Sequence, residues 1–162
     1  MDTQYFKHYS PALGRDMEYM VYGRAGRPVL YIPCQDGRFF DFGDFHMAET
    51  LAPWIESGQI IVFSVDTIDK ETWSDKGGEP YWRARRHELW MDYLIKEMVP
   101  LIQERTEQSG IISFGCSLGA THAPFWYLGL WATRSSPSGG ASSPQRHSTA
   151  NSSSSFSLTI RS

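Results

Sequence analysis

The sequence predicts an α/β protein built on a mostly parallel sheet, and three observations carry that prediction. Short continuous apolar runs recur at 27–33 (RPVLYIP), 59–66 (QIIVFSVD) and 110–114 (GIISF). Stretches with three-to-four apolar spacing lie between them. Each run opens into a polar or glycine-punctuated segment: CQDGRFF, TIDKETW and GCSLG. Strands covered by helices on both faces read as unbroken apolar runs, and their alternation with helices is the rhythm of a parallel sheet.

In chain order, DMEYMVYG (16–23) has strand character, with Met17, Tyr19 and Val21 alternating with other residues. RPVLYIP follows as a strand, then CQDGRFFDFGDF (34–45) as a loop. MAETLAPWIESG (47–58) predicts a helix with Met47, Leu51, Trp54 and Ile55 on one face and Gly58 at its stop. After the second run, TIDKETWSDKGGEP (67–80) reads as an exposed connection. YWRARRHELWMDYLIKEMVPLIQERTEQSG (81–110) is the longest helical pattern, its stripe formed by Trp82, Leu89, Trp90, Tyr93, Leu94, Met98 and Ile102. Pro100 predicts a kink or a new turn within it. The third run then closes the series, and no internal repeat is visible.

Composition narrows the function. The chain has 162 residues, 41% hydrophobic and 20% charged, with a net charge of −3, values of an ordinary globular domain with no call for nucleic acid or an anionic membrane as partner. No apolar run is long enough to cross a membrane, and MDTQYFKHYS has no leader pattern, so the expected location is cytoplasmic. Cys34 and Cys116 make no disulfide framework and are read as reduced thiols. No Cys/His spacing suits zinc, Gly77-Gly78 is too isolated to cradle a phosphate, and no metal or organic cofactor is expected. The two ends of the chain differ. All 18 acidic residues precede Gly110, whereas the segment 124–162 drifts into a Ser/Pro/Gly/Arg-rich tail with neither helical nor strand periodicity, expected to be disordered.

The third run leads into Gly115-Cys116-Ser117-Leu118-Gly119, a G-x-S-x-G pattern. The string alone is weak, because glycine and serine are abundant here; its position between a buried strand and a helical stretch gives it weight. A sharp strand-to-helix turn exposes the serine hydroxyl at the carboxyl end of the sheet, and flanking glycines let the backbones approach. Ser117 is thus a candidate nucleophile, with the Leu118 N–H at a helix N-terminus as an oxyanion donor. A second donor is expected from the loop after the first run, where Gly37 permits an unusual backbone and Arg38 or a neighbour offers its N–H. The competing readings are a glycine-rich turn without chemistry and a plain surface loop.

The ordered stretches YSPALGRDMEYMVYG, RPVLYIPCQDGRFFDFGDF, APWIESGQIIVFSVDTIDKETWS, RARRHE and GCSLGATHA resemble an esterase family of the α/β-hydrolases, which has S-formylglutathione hydrolase-like, feruloyl-esterase-like and mycolyltransferase-like members. The resemblance covers residues 5 to about 123. It implies an α/β-hydrolase fold cut short past the nucleophile elbow, with residues 1–123 as the N-terminal part of the domain and 124–162 as the tail. It implies ester hydrolysis of a small-molecule substrate, with Ser117 as nucleophile, an oxyanion hole from Leu118 and the Gln35–Arg38 loop, and the chain order serine, acid, histidine. No Asp or Glu follows Ser117. An impaired esterase is therefore expected, and the rival is a non-catalytic relative that binds or self-associates through an open sheet edge. The abrupt change near Ala123 is also what a shifted reading frame in GC-rich DNA would produce.

The other candidates have structural readings. His122, on the helix behind the elbow, is read as packing or surface, His87 as part of a solvated face, and His147 lies in the tail. Asp66, at the end of the second run, is read as a turn cap with functional potential. Arg83, Arg85 and Arg86 are read as solvated, Cys116 as packing inward, and Trp54, Trp73, Trp82 and Trp90 as core or pocket rim.

Overall fold

In the computed structural model, which describes residues 1–124, the four predicted strands and one further strand pair into a single five-stranded sheet. The strands are β1 (Thr3–Ser10), β2 (Arg15–Tyr22), β3 (Arg27–Ile32), β4 (Ile60–Val65) and β5 (Ile112–Gly115), in the order β1-β2-β4-β3-β5. β3 pairs parallel with β4 and with β5, whereas β1–β2 and β2–β4 are antiparallel. The sheet is therefore mixed, which corrects the expectation of a mostly parallel one. β1 was not foreseen. Its aromatics Tyr5, Phe6 and Tyr9 fall on both faces, so it shows neither a continuous run nor a clean alternation. It forms a hairpin with β2 whose turn is held by the Gly14 N–H on the Ser10 carbonyl, 2.8 Å.

Of the three continuous apolar runs, those of β3 and β4 are covered on both faces, as read from the sequence, whereas the third, β5, alternates between exposed and half-buried residues. Leu30 and Ile32 of β3, with Ile61, Phe63 and Val65 of β4, join Met17, Tyr19 and Val21 of β2 in the larger core. Their neighbours Val29, Tyr31 and Val62 face the other way, against Tyr22, Phe42, Ala48 and Ile55. The second face is covered by three short helices: α1 (Asp41–Asp44), α2 (Met47–Thr50) and α3 (Ala52–Glu56). The single helix predicted over 47–58 is thus split at Leu51, two residues before Pro53, which lacks the N–H that an unbroken helix would use. Ile55 is buried there, but Trp54 is exposed, contrary to its predicted place on the core face.

The larger core is closed by α4 (Pro80–Tyr93), a π-helical turn (Leu94–Met98) and α5 (Val99–Thr106). The Glu79 carboxylate caps α4 by accepting from the Trp82 N–H at 3.0 Å. Pro100 explains the π turn. It has no N–H for the carbonyl four residues back, and the wider turn, in which the Val99 N–H bonds the Leu94 carbonyl, relieves the clash of its ring. Trp90, Tyr93, Leu94, Met98 and Ile102 of the predicted stripe are fully buried, each contributing about 1.5–3 kcal/mol of hydrophobic stabilisation. Trp82 is 64% exposed and does not belong to the stripe.

The connection at 67–80 is not simply exposed. A 3-10 turn at Asp69–Glu71 tucks Ile68, Asp69 and Thr72 inside. The expected tail lies outside the described residues, apart from Pro124 at their end. Among the described residues no helix is long and apolar enough to cross a membrane.

Candidate active site

β5 ends at Gly115, and residues 118–124 are helical, so Cys116 and Ser117 make the whole turn between strand and helix. Ser117 has φ 53°, a left-handed backbone that side-chain-bearing residues rarely adopt. It is exposed. The turn is closed by the Gly119 N–H on the Cys116 carbonyl (2.9 Å) and the Ala120 N–H on the Ser117 carbonyl (3.0 Å). The flanking glycines are required by space. A Cβ on Gly115 would collide with the Gly119 backbone, and one on Gly119 would collide with the carbonyl oxygens of Ile32 and Pro33. The start of the helix therefore rests directly on the backbone that leaves β3. Leu118 is the first helical residue, so its N–H has no acceptor within the helix. Cys116 is exposed, which corrects the inward packing expected of it: β5 is the last strand of the sheet among the described residues.

The loop after β3 lies beside this turn, because Ile32 pairs with Gly115. Its conformation is pinned from the end of β4. The Asp66 carboxylate accepts from Arg38 Nε (2.8 Å) and from the Phe39 N–H (2.9 Å), while Arg38 Nη2 reaches Glu18 at 2.6 Å. Thr67 Oγ1 donates to the Gly37 carbonyl (2.9 Å), and Asp69 Oδ2 accepts from the Asp36 N–H (3.1 Å). The Gly37 N–H turns back to the Cys34 carbonyl at 2.9 Å. Within Gln35–Arg38 this leaves the N–H groups of Gln35 and Arg38 without an acceptor among the described residues. Gly37 itself is needed for close approach to Pro33 and Cys34; the left-handed residue is Asp36, with φ 61°. Asp66 thus does more than cap a turn. Burial pushes its carboxyl above the ordinary value, against the opposing pull of Arg38 and the Phe39 N–H.

Behind the turn, His122 is completely buried. Its ring lies 5.0 Å from that of His87, 5.1 Å from Trp90 and 6.0 Å from Trp73. His122 is a packing residue, one of the two readings made for it. His87 is not on a solvated face: it is half-buried among these rings, and burial first, then His122, pushes its pKa down. Arg83 is also engaged, donating to the carbonyls of Thr72 (2.7 Å) and Trp73 (3.3 Å), and Arg86 pairs with Glu71. Arg85 remains on the surface with Glu88. Thr72, Trp73, Pro80, Arg83, Ala84 and His87 line a cavity of about 400 Å³. His147 lies outside the described residues. Among the described residues no three His, Cys, Asp or Glu side chains are grouped to hold a metal.

The residues that sequence reasoning missed are Thr67 and Asp69, which fasten the loop. They stand in a polar stretch with no distinctive spacing, and their partners come from distant segments, so no local signal marks them.

No protein-family model and no curated protein matches the chain. Its described fold nevertheless matches part of the structures of known esterases. An S-formylglutathione hydrolase from Agrobacterium tumefaciens superposes with a TM-score of 0.61 at 22% identity, over 78% of this chain and 53% of that one. A ferulic acid esterase superposes at 0.56 and 16% identity, over 75% of this chain and 52% of the other. The ferulic acid esterase of Anaeromyces mucronatus superposes at 0.56 and 14% identity, over 77% and 53%. The chain spans about half the length of these enzymes. The described residues are an α/β fold whose five-stranded mixed sheet matches part of α/β-hydrolase structures of the esterase type.

Proposed function

We propose that the chain carries the nucleophile half of a serine ester hydrolase site. The observation that supports this best is the left-handed Ser117, exposed on a two-residue turn between a strand and a helix whose flanking glycines admit no Cβ. Strain of this kind persists where the surroundings enforce it, and here it presents a hydroxyl at the carboxyl end of a sheet. In the proposed reaction Ser117 Oγ attacks the carbonyl carbon of a small ester, and the alcohol leaves to give an acyl-serine that water hydrolyses. The Leu118 N–H and an N–H of the Gln35–Arg38 loop, Arg38 or Gln35, hold the oxyanion. A histidine must take the serine proton, and His122, buried among aromatic rings, is assigned no such role. With no carboxylate after Ser117, the serine, acid, histidine order of the resemblance is not met within this sequence, and slow turnover is expected. The reading includes a cytoplasmic location, where free Cys34 and Cys116 stay reduced. No cofactor is assigned.

Reaction with a fluorophosphonate tests the nucleophile. Covalent labelling is expected at Ser117, read by peptide mass spectrometry, and absent in Ser117→Ala. A folded wild-type sample that stays unlabelled overturns the reading. One observation favours the second reading, self-association: on β5, the last strand of the sheet among the described residues, Ile112 and Phe114 are exposed by 42% and 37%. A mass that rises with concentration in sedimentation, and is lost in Phe114→Lys, would support it.

A further inference from the structure

The two left-handed residues of the site, Asp36 in the loop and Ser117 in the turn, belong to segments that both reach one buried carboxylate, in addition to the β3–β5 pairing. Asp69 is 3% exposed. Its backbone is fixed by the N–H groups of Thr72 (3.0 Å) and Ser74 (2.8 Å) on its carbonyl. One side-chain oxygen, Oδ2, accepts from the Asp36 N–H at 3.1 Å; the other, Oδ1, lies 3.7 Å from His122 Nε2 on the helix that starts at the turn. Both ring nitrogens of His122 lack a hydrogen-bond partner among the described residues. A carboxylate and an imidazole, both out of solvent, are costly as separate groups and much less so as a pair. Among the described residues Asp69 is the carboxylate that reaches His122, and the rings of His87, Trp73 and Trp90 form the wall around it.

We propose that Asp69 is a positioning residue of the site, tying the oxyanion loop through Asp36 to the nucleophile turn through His122. The inference rests on the hydrolase reading for its role in chemistry, but the tie itself does not. An oxyanion hole works only if its two donors, one on each segment, are held at a fixed separation before the charge develops. Asp69 supplies that constraint from beneath, where it touches neither Ser117 nor substrate. Asp69→Asn keeps an oxygen for the Asp36 N–H and replaces the oxygen that faces His122 Nε2 with an amide NH2, whereas His122→Phe keeps the aromatic packing and loses the other end of the tie.

Amide hydrogen exchange on the full chain decides this. Both variants are expected to speed exchange at Asp36 and at the amides of Gly119 and Ala120, roughly threefold to tenfold. His122→Phe should have no further effect at Asp36 once Asp69→Asn is present, because the two changes break one connection. That cross-effect is something a merely local packing role would not produce. Unchanged exchange at Asp36 in His122→Phe, or additive effects in the double variant, overturns the tie. Fluorophosphonate kinetics add the chemical arm: each variant is expected to lower the maximal labelling rate at Ser117 about tenfold, roughly 1.4 kcal/mol, with reagent affinity unchanged. Labelling at the wild-type rate in both variants overturns the positioning role. A wild type that never labels, but shows coupled exchange, overturns the hydrolase reading and leaves the tie standing.

Discussion

β4 and β5 read alike as sequence and differ as structure. IIVFSV and ISFG are both short apolar strands hydrogen-bonded parallel to β3. In β4 every residue from Ile61 to Val65 is buried, with helices above and below and strands on both sides. In β5 the residues alternate between exposed and half-buried, and Phe114 leans on Tyr31 at 5.5 Å yet stays 37% exposed. A continuous apolar run alone therefore does not fix how fully a strand is covered among the described residues. The site sits on the less buried of these two strands.

The largest expected effect tests that contrast directly. Phe63→Ala removes a ring that is 0% exposed and is expected to destabilise the fold by about 3–5 kcal/mol in urea unfolding. Phe114→Ala on β5 is expected to lose about 1 kcal/mol or less. Equal losses would mean that β5 is covered as fully as β4. Next in size is Gly119→Ala. The added methyl meets two carbonyl oxygens of the chain leaving β3, which are backbone and cannot swing away, so a loss of about 1–3 kcal/mol is expected. Fluorophosphonate labelling of Ser117 should fall with it, since the turn must open to admit the methyl. A Gly119→Ala variant with wild-type stability and labelling would show that the helix start does not need its close contact with β3.

The same contrast explains what the sequence made legible. The strands β3, β4 and β5 could be read because coverage on two faces imposes a run of Val, Ile, Leu and Phe that needs no knowledge of the neighbours. β1 could not, because an edge strand is free to place Tyr5 and Tyr9 outward and Phe6 inward, which erases the period. Strand direction was illegible for a related reason: residue types do not say whether β2 meets β4 parallel or antiparallel, and the hairpin with β1 had been missed. In the site, Ser117, Gly115 and Gly119 were legible because their chemistry depends on spacing along one turn. Arg38 was singled out for its N–H, but its guanidinium, held by Asp66 and Glu18, is part of what fixes the loop. Asp69, His87 and His122 meet only after the sheet has formed, and a polar residue in a polar stretch carries no mark of a partner far along the chain.

A smaller effect would measure the strain stored at the turn. Ser117→Gly places at φ 53° the one residue that tolerates it freely, and a gain of about 1 kcal/mol is expected from relief of strain, partly offset by the added freedom of the unfolded chain. Ser117→Ala keeps the Cβ and should show no such gain. Comparing the two by thermal unfolding separates backbone strain from loss of the hydroxyl, and equal stabilities would place the strain elsewhere than at Ser117.

The smallest expected effect concerns pH and falls on two histidines that pack against Trp90 and Tyr93 of the larger core. Burial pushes His87 and His8 below the ordinary histidine value of 6.5; His122 pushes His87 further down, whereas Glu97 pulls His8 part of the way back. Each therefore prefers to be neutral in the folded chain and takes up a proton more readily when unfolded. Where the unfolded state binds more protons, stability rises with pH. Stability should thus be level with respect to these two groups above pH 6.5 and decline as the pH falls below it, until their folded values are passed. His87→Gln should flatten the part of that decline that arises beside the nucleophile turn, and His8→Gln the part that arises beneath the β1–β2 hairpin, where the His8 ring stacks on Tyr93 at 5.7 Å. Urea midpoints between pH 7.5 and 5.5 read both. A wild-type profile that stays level across that interval would mean that neither ring is as enclosed as its packing indicates. A profile flattened by His8→Gln alone would place the acid-sensitive packing at the hairpin and leave the His87–His122 contact open enough to accept a proton.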